Sequence, residues 1–578
     1  MCVIVGFTQK TRGREEVLAC LDRAYTRGPD MARVAETASG WLGFRRLSIM
    51  GLDERGMQPF ALGPDQVVCN GELYGWRRQR AELEQRGYTF RSGSDCELLL
   101  PMYREYGLDM FARLDAEFAL ILYDGEADEY VAARDPIGIR PLFYGCDPDG
   151  GILFASEAKQ LVGLCEQILP FPPGHYWYRG RFVRYANPAR PGLSRSDDMD
   201  TVCQNIHDKL IAAVDKRLDA DAPLGFLLSG GLDSSLVCAI AARLLGKPIR
   251  TFAIGMDTDA IDLKYARKAA QFIGADHTEV IITRDDVIAA LPKVVAALGT
   301  WDITTIRASV GMYLCCKAIR ETTDIRVLLT GEISDELFGY KYTDFAPSPA
   351  AFQAEAEKRV EELYMYDVLR ADRCISGWSM EARVPFGDLD FVEYVMSVDP
   401  ALKVNRCGKG KYLLRRAFQS DALLPDEILW REKAAFSDAV GHSMVDDLKE
   451  YARAQYSDLA FTRGCAQYQY RPPFTRESLL YRDLFERYYP GQARMIKDFW
   501  MPPLRPGTEK LRGQRVLTRQ NLNFQLTQGR DRYGKVYLHH RRGGIRPGER
   551  NSGGLSGTAT EGPGAEGGPP EVRPLPEH

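Results

Sequence analysis

Hydrophobic positions follow two rhythms along the chain. Through the first 180 or so residues, short β-branched and aromatic runs alternate with Gly, Asp and Pro punctuation, as in Val67-Val68-Cys69 and Phe118-Ala119-Leu120-Ile121-Leu122-Tyr123-Asp124. Such runs predict short strands joined by turns, with Val67–Cys69 running into a turn at Asn70-Gly71. A different rhythm starts with the amphipathic stretch from Met199 to Leu218, which predicts a helix. The apolar run 223–228 then predicts a buried strand and Leu236 to Leu245 a helix. Thr251–Gly255 predicts a strand, Asp262–Ile273 a helix, and His277–Ile282 another strand. Further helical stretches lead to the strand Ile325–Leu329. Strands alternating with helices predict a parallel sheet with its ligand at the carboxyl ends of the strands. The organisation is therefore a domain over 1–187, a linker over 188–200 rich in Pro, Ser, Arg and Asp, a second domain over 201–504, and a tail over 505–578.

Composition changes this picture little. At 578 residues the chain is long enough for two well-buried domains. Its 13 cysteines are scattered, odd in number and without metal-ligand spacing, which predicts a reducing, cytoplasmic setting. No apolar run approaches the ~18 residues of a membrane span. A net charge of −4 predicts no general nucleic-acid affinity. The tail carries about a dozen Lys and Arg between 505 and 550, then becomes Gly- and Pro-rich, and it is expected to be disordered. Arg541-Arg542-Gly543-Gly544 offers at most a weak polyanion contact. A homodimer is compatible with the sequence.

Chemistry enters at the second residue. Removal of Met1 would leave Cys2 with a thiol and a free α-amine, and a nucleophile carrying its own base needs no histidine. A thiol attacking a carboxamide also requires oxyanion donors, which the Asn70 side chain and the Gly71 amide supply. Free glutamine would need a cation for its carboxylate, suited to Arg46, and an anion for its ammonium, suited to Asp95. Asn-Gly is also an ordinary hairpin turn and Ser-x-Ser-Asp an ordinary helix cap. Farther along, Ser229-Gly230-Gly231-Leu232-Asp233-Ser234-Ser235 sits between a predicted strand and helix, where backbone N–H groups and the helix dipole attract phosphate. A second acidic motif, Thr330-Gly331-Glu332-Ile333-Ser334-Asp335-Glu336, also ends a strand. Asp233 and Asp335 are candidates to share Mg2+, which takes one or two carboxylates plus substrate phosphates.

These motifs carry a resemblance. Cys2, Arg45-Arg46-Leu47-Ser48-Ile49, Asn70-Gly71-Glu72-Leu73-Tyr74 and Arg134-Asp135-Pro136 resemble the class II, N-terminal nucleophile glutamine amidotransferases. The Ser229–Ser235 loop resembles that of ATP pyrophosphatases. With Thr304–Ser309, Glu381-Ala382-Arg383-Val384-Pro385-Phe386-Gly387-Asp388, Lys411–Arg415 and Trp430–Gly441, residues 1 to about 445 resemble the glutamine-hydrolysing asparagine synthetases. The resemblance implies an α+β N-terminal nucleophile sandwich followed by an α/β parallel-sheet ATP-pyrophosphatase domain with a helical C-terminal part. It implies ATP and Mg2+, with glutamine and aspartate as substrates. Leu47, Ile49, Glu72 and Arg307 would contact substrate. Leu228, Ser229, Gly230, Gly231, Asp233, Ser234, Ile254, Thr330 and Gly331 would hold ATP. Glu332 would take a proton from ammonia or support the adenylate, Lys433 would stabilise phosphate charge, and Arg383 and Asp388 would shape the aspartate side. A channel for ammonia would require an apolar domain interface with few acids, around Phe118 to Leu122. The chain departs from the family at Val3, Gly299, Ile333 and Gly387, where the family has Gly, Glu, Gly and Leu. A side chain at Val3 is expected either to crowd the glutamine pocket or to change the backbone angles available. A related ligase for another carboxylate, or an ammonia-dependent synthetase with weak glutaminase, is the alternative.

Overall fold

A computed structural model describes residues 1–192, 195–258, 260–340, 343, 346–405, 408–431 and 442–501. The described residues belong to one compact unit. Lys433 and the tail lie outside them.

The amino-terminal part is two antiparallel sheets of six strands each. In the first, Val3–Phe7 lies between Trp41–Arg46 and Ile152–Ala155, so the strand that follows Cys2 is interior. In the second, Asp65–Leu73 pairs with Ala116–Asp124 from Gln66↔Tyr123 to Leu73↔Ala116. The strand thus runs straight through Asn70-Gly71, where the sequence predicted a turn. Gly71 is required there, since a Cβ would stand 2.7 Å from the Glu117 carbonyl. Inward residues of both sheets, including Ile4, Phe44, Val68, Ala119, Ile121 and Phe154, form the core between them. Alternation sends Val3 to the opposite face, where it is fully buried beside Val5, Phe7, Val17 and Leu21. Val3 therefore points away from the face that carries Cys2 and Ile4, which corrects the expected crowding.

The second domain opens with the helix Met199–Arg217. Asp198 caps it by accepting from the amides of Asp200 and Thr201 at 3.0 and 2.9 Å, and Lys216 and Arg217 end it, as the helix dipole favours. A parallel sheet follows in the order Asp276–Ile282, Arg250–Met256, Leu224–Leu227, Val327–Leu329, Glu381–Arg383. The order reverses at Leu224–Leu227, and α/β sheets bind ligands at the strand ends beside such a point. The next helix spans Leu232–Leu245, one turn earlier than expected, because Gly231 is extended and serves as its cap. Asp233, Ser234 and Ser235 therefore stand in the first helical turn. Helices including Arg284–Leu298, Ile303–Thr322 and Arg476–Tyr488 complete the domain. No single described helix is long and apolar enough to cross a membrane.

Candidate active site

The first centre gathers around Cys2. Its backbone N–H donates to Asn70 Oδ1 at 2.8 Å, and its sulfur accepts from the Leu47 amide at 3.5 Å. Asn70 is buried, and among the described residues its Nδ2 has no hydrogen-bond partner. A buried amide donor left unpaired costs about 1–3 kcal/mol, so a group awaiting an acceptor is the economical explanation. Burial pushes the Cys2 thiol up to about 11, against the opposing pull of the Met1 ammonium and the Leu47 amide. While Met1 is attached, the nucleophile is thus held as a neutral thiol. Met1 itself is buried, with its ammonium 3.8 Å from Glu381 and its sulfur accepting from Arg140 at 2.9 Å.

Around this centre Asp95 accepts from the Leu73 amide at 2.7 Å, and burial lifts its carboxyl to about 6. Arg46 donates to the carbonyl of Met50 at 3.2 Å and to those of Gly51 and Asp53. Its guanidinium thus braces the 50–53 loop in this structure. Leu47 and Ile49 are buried beside it. Glu72 faces the second domain, 3.0 Å from Arg383, and burial holds its carboxyl well above the usual range.

The second centre lies at the carboxyl ends of the parallel strands. The Leu228 amide donates to Phe252 O at 2.8 Å, which sets Leu228 beside the strand that carries Ile254. The Ser229 amide donates to Ser234 Oγ at 3.1 Å. Gly230 has φ +69°, and a Cβ there would lie 2.4 Å from the Ala266 amide nitrogen, so only glycine fits. Gly331 also comes too close for a side chain, its would-be Cβ 2.7 Å from the Ser234 amide nitrogen, which packs the two phosphate-type loops together. The Thr330 amide donates to Arg383 O at 3.0 Å.

Asp233 and Asp335 are brought together by a residue that carried no assigned role. Lys411 Nζ lies 2.7 Å from Asp233 Oδ1, 2.5 Å from Asp335 Oδ1 and 3.1 Å from Ser334 Oγ. Ser334 in turn donates to Asp233 at 2.6 Å. Arg370 was missed as well; it pairs with Glu332 and, at 2.9 Å, with Asp367. Burial, with Asp367 and Asp335 nearby, pushes the Glu336 carboxyl well above its ordinary range. Among the described residues no three His, Cys, Asp or Glu side chains gather as a ready-made metal site. Two converging carboxylates nonetheless suit Mg2+ when substrate phosphates supply the other oxygens.

Three residues expected on the substrate side are ion-paired in this structure. Arg307 bonds Glu477 at 2.7 Å. Arg383 reaches Glu381 and Glu72, each at 3.0 Å, and the carbonyls of Arg217 and Asp219. Asp388 pairs with Lys216 at 2.9 Å and Arg217 at 3.1 Å. Arg383 and Asp388 therefore belong to a buried ionic seam between the domains rather than to the Asp233–Lys411 cluster. The seam continues through Glu117 to Arg217 and Arg140, and through Arg27 to Glu157 and Asp372. Burial raises Glu381, and Arg140, Arg383 and the Met1 ammonium together outweigh it and hold that carboxyl below its usual range. The expectation of few acids is thus corrected, whereas Phe118, Leu120 and Leu122 do share one apolar cluster with second-domain residues such as Ile206 and Phe226. Beside that cluster the carboxylates and guanidinium groups are paired, since buried charge is tolerated when paired. Gly299 has φ +65° and caps the helix Arg284–Leu298, a backbone conformation that favours glycine.

A nucleophile centre on an antiparallel sandwich, joined to a phosphate-type centre at parallel strand ends, is the architecture of a glutamine-dependent amidotransferase. Comparison with known proteins agrees: residues 1–169 match the glutamine amidotransferase domain family and residues 205–504 the asparagine synthase family. The chain is 37% identical over 538 residues to a probable glutamine-hydrolyzing asparagine synthetase of Dictyostelium discoideum, spanning 87% of this chain and 96% of that protein. It is 40% identical over 519 residues to the Gallus gallus asparagine synthetase and 39% over 523 residues to that of Homo sapiens, each alignment covering 82% of this chain and 91% of the relative. The chain belongs to the glutamine-hydrolysing asparagine synthetase family.

Proposed function

We propose that the protein makes L-asparagine from L-aspartate, ATP and glutamine in the cytoplasm, with Mg2+ as the phosphate counter-ion. The observation that carries this reading is the pairing of Cys2 and the unpartnered Asn70 amide in one domain with the Asp233–Lys411–Asp335 cluster at the strand ends of the other. Once Met1 is removed, the Cys2 amine takes the thiol proton and sulfur attacks the glutamine amide carbon. Asn70 Nδ2 and the Gly71 amide receive the charge on oxygen, the Cys2 ammonium returns its proton to the amide nitrogen as the C–N bond breaks and ammonia leaves, and water releases glutamate from the thioester. Asp95 holds the substrate ammonium, with Leu47, Ile49 and Glu72 around it. Arg46 receives the carboxylate only if it exchanges a loop carbonyl for it.

In the second centre an aspartate side-chain oxygen bonds the α-phosphorus of ATP and pyrophosphate departs. Leu228, Ile254, Thr330 and Gly331 border the adenosine, while Ser229, Gly230, Gly231 and Ser234 offer donors to phosphate. Asp233 and Asp335 would hold Mg2+, which offsets phosphate charge; Lys411 lies between them as a fixed cation. Ammonia then bonds the acyl carbon, AMP departs with the bonding electron pair, and Glu332, oriented by Arg370, takes the surplus proton. Lys433 is assigned to phosphate charge by resemblance alone.

The test is to supply ATP, Mg2+ and either glutamine or ammonium with a panel of carboxylic acids, then measure pyrophosphate and amide products. Aspartate is expected to give asparagine and pyrophosphate in equal amounts. Turnover of another carboxylate in preference to aspartate would overturn the substrate. Wild-type pyrophosphate release by Asp233→Asn or Asp335→Asn at limiting Mg2+ would overturn that residue's metal assignment.

A further inference from the structure

Ile333 and Gly387 meet in space, although they stand 54 positions apart in the chain. Ile333 ends the turn after the strand Val327–Leu329 with φ +81° and ψ −24°, and its side chain is buried. A β-branched residue in the left-handed region is an outlier, and it persists only where its surroundings over-determine it. Those surroundings are visible at Gly387. Gly387 does not have a positive φ, so its backbone does not ask for glycine. A Cβ placed on it would instead lie 2.7 Å from Ile333 Cδ1, 3.1 Å from Ile139 Cδ1 and 3.1 Å from Val384 Cγ2. Gly387 is glycine because Ile333 occupies its side-chain space. The Ile333 side chain fills the space that a side chain at 387 would need, so the two positions are matched in volume.

This matched pair falls on a mechanically sensitive point. The Ile333 carbonyl accepts from the amides of Glu336 and Leu337 at 3.1 and 3.3 Å, which starts the short helix Ser334–Phe338. Glu332, paired with Arg370, precedes it; Ser334 and Asp335, bound to Asp233 and Lys411, follow it. Rotation about this one residue therefore sets the angle between the Glu332 carboxylate and the Asp233–Lys411–Asp335 cluster. The third apolar member, Ile139, comes from the amino-terminal domain. Its turn is held by Asp135, whose carboxylate accepts from the amides of Ile137, Gly138, Ile139 and Arg140 at 2.6 to 3.1 Å. Arg140 then ties that turn to the second domain through Ala382 O at 2.9 Å.

We propose that Ile333, which meets Ile139 and Val384 over the bare side of Gly387, is a positioning residue that holds the Glu332–Asp335 turn in register with Asp233 and Lys411, so that the docked glutaminase domain helps to shape the synthetase centre. This rests on the roles proposed above for Glu332 and Asp335.

The experiment is a double-mutant cycle in the full chain, using ammonium and no glutamine. Wild type, Ile333→Gly, Gly387→Leu and the double variant are compared for kcat, for KM of ATP and aspartate, and for thermal midpoint. Each single variant is expected to lose about tenfold in kcat, with KM for ATP within about twofold, because a misplaced turn acts on the chemical step. The double variant is expected to recover to within about threefold of wild type, the signature of coupled neighbours. Ile139→Ala is expected to lower the ammonium-dependent kcat by about threefold, although glutamine takes no part in that assay. Single losses that multiply in the double variant, or full activity in Gly387→Leu, would overturn the pairing; an unchanged rate in Ile139→Ala would remove the glutaminase domain from it. If Gly387→Leu fails to fold, Gly387→Ala takes its place in the same cycle. If wild type releases no pyrophosphate with aspartate, the reaction reading has failed instead. The thermal midpoints then judge the packing: recovery in the double variant supports the matched pair, and additive losses overturn it.

Discussion

The two centres are built in opposite ways. At the first, the nucleophile directly precedes an interior strand, its oxyanion donor sits on a paired strand, and hydrogen bonds of ordinary length hold the centre: Cys2 to Asn70 at 2.8 Å, and Leu73 to the neighbouring Asp95 at 2.7 Å. At the second, the reactive groups stand on turns and first helical turns beyond the strand ends and are held by charge, with Lys411, 178 residues from Asp233, bridging it to Asp335. Strand interiors suit a centre whose donors must be in place before the reaction starts. Strand-end turns suit one that must accept a large anion and its counter-ion. The difference teaches where each is fragile: the first to loss of a single donor, the second to any change in how its turns are braced.

Cys2→Ala breaks the comparison most sharply. Glutamine-dependent synthesis should vanish and ammonium-dependent synthesis should persist, as measured by asparagine formed from each nitrogen source; equal loss in a folded protein would mean the centres are not separate. Next, Lys411→Met should cost about a thousandfold in pyrophosphate release, since it leaves the buried Asp233 and the half-buried Asp335 carboxylates without the cation that bridges them, while glutamine hydrolysis remains. Loss of both activities together would assign Lys411 to folding. Asn70→Ala should lower kcat for glutamine hydrolysis by about 100- to 1,000-fold, the usual effect of one oxyanion donor. A change confined to KM would place Asn70 in binding alone.

The smallest effect concerns pH. Asp95 titrates near 6 in the fold rather than at 3.8, so between those values the folded chain keeps a proton that the unfolded chain has lost. Its contribution to stability therefore declines as pH rises from about 4 to about 6. Its service to the substrate ammonium runs the other way, and KM for glutamine should climb as pH falls through about 6. Asp95→Asn should give a raised KM that no longer responds to pH in that range; a pH response like wild type would move the ammonium site elsewhere.

Much of this was legible in the residues. Cys2, Asn-Gly, the Ser-Gly-Gly loop and the Thr-Gly-Glu turn are local signals, because each uses adjacent backbone groups whose chemistry neighbours in sequence determine. The alternation of strands and helices likewise placed both loops at the ends of a parallel sheet. What escaped was non-local. The Asn70 segment reads as a turn until the partner strand Ala116–Asp124 extends its pairing through Leu73. Val3 looks like an obstacle until strand alternation turns it to the far face. Arg383 and Asp388 carry charges that suit a substrate, yet burial between two domains commits them to Glu72, Glu381, Lys216 and Arg217. No spacing rule links Lys411 to Asp233, or Ile333 to Gly387 and Ile139. Side-chain volume and charge are matched through space, so the chain by itself determined which chemistry it carries, and only the tertiary packing decided which distant residues hold that chemistry in place.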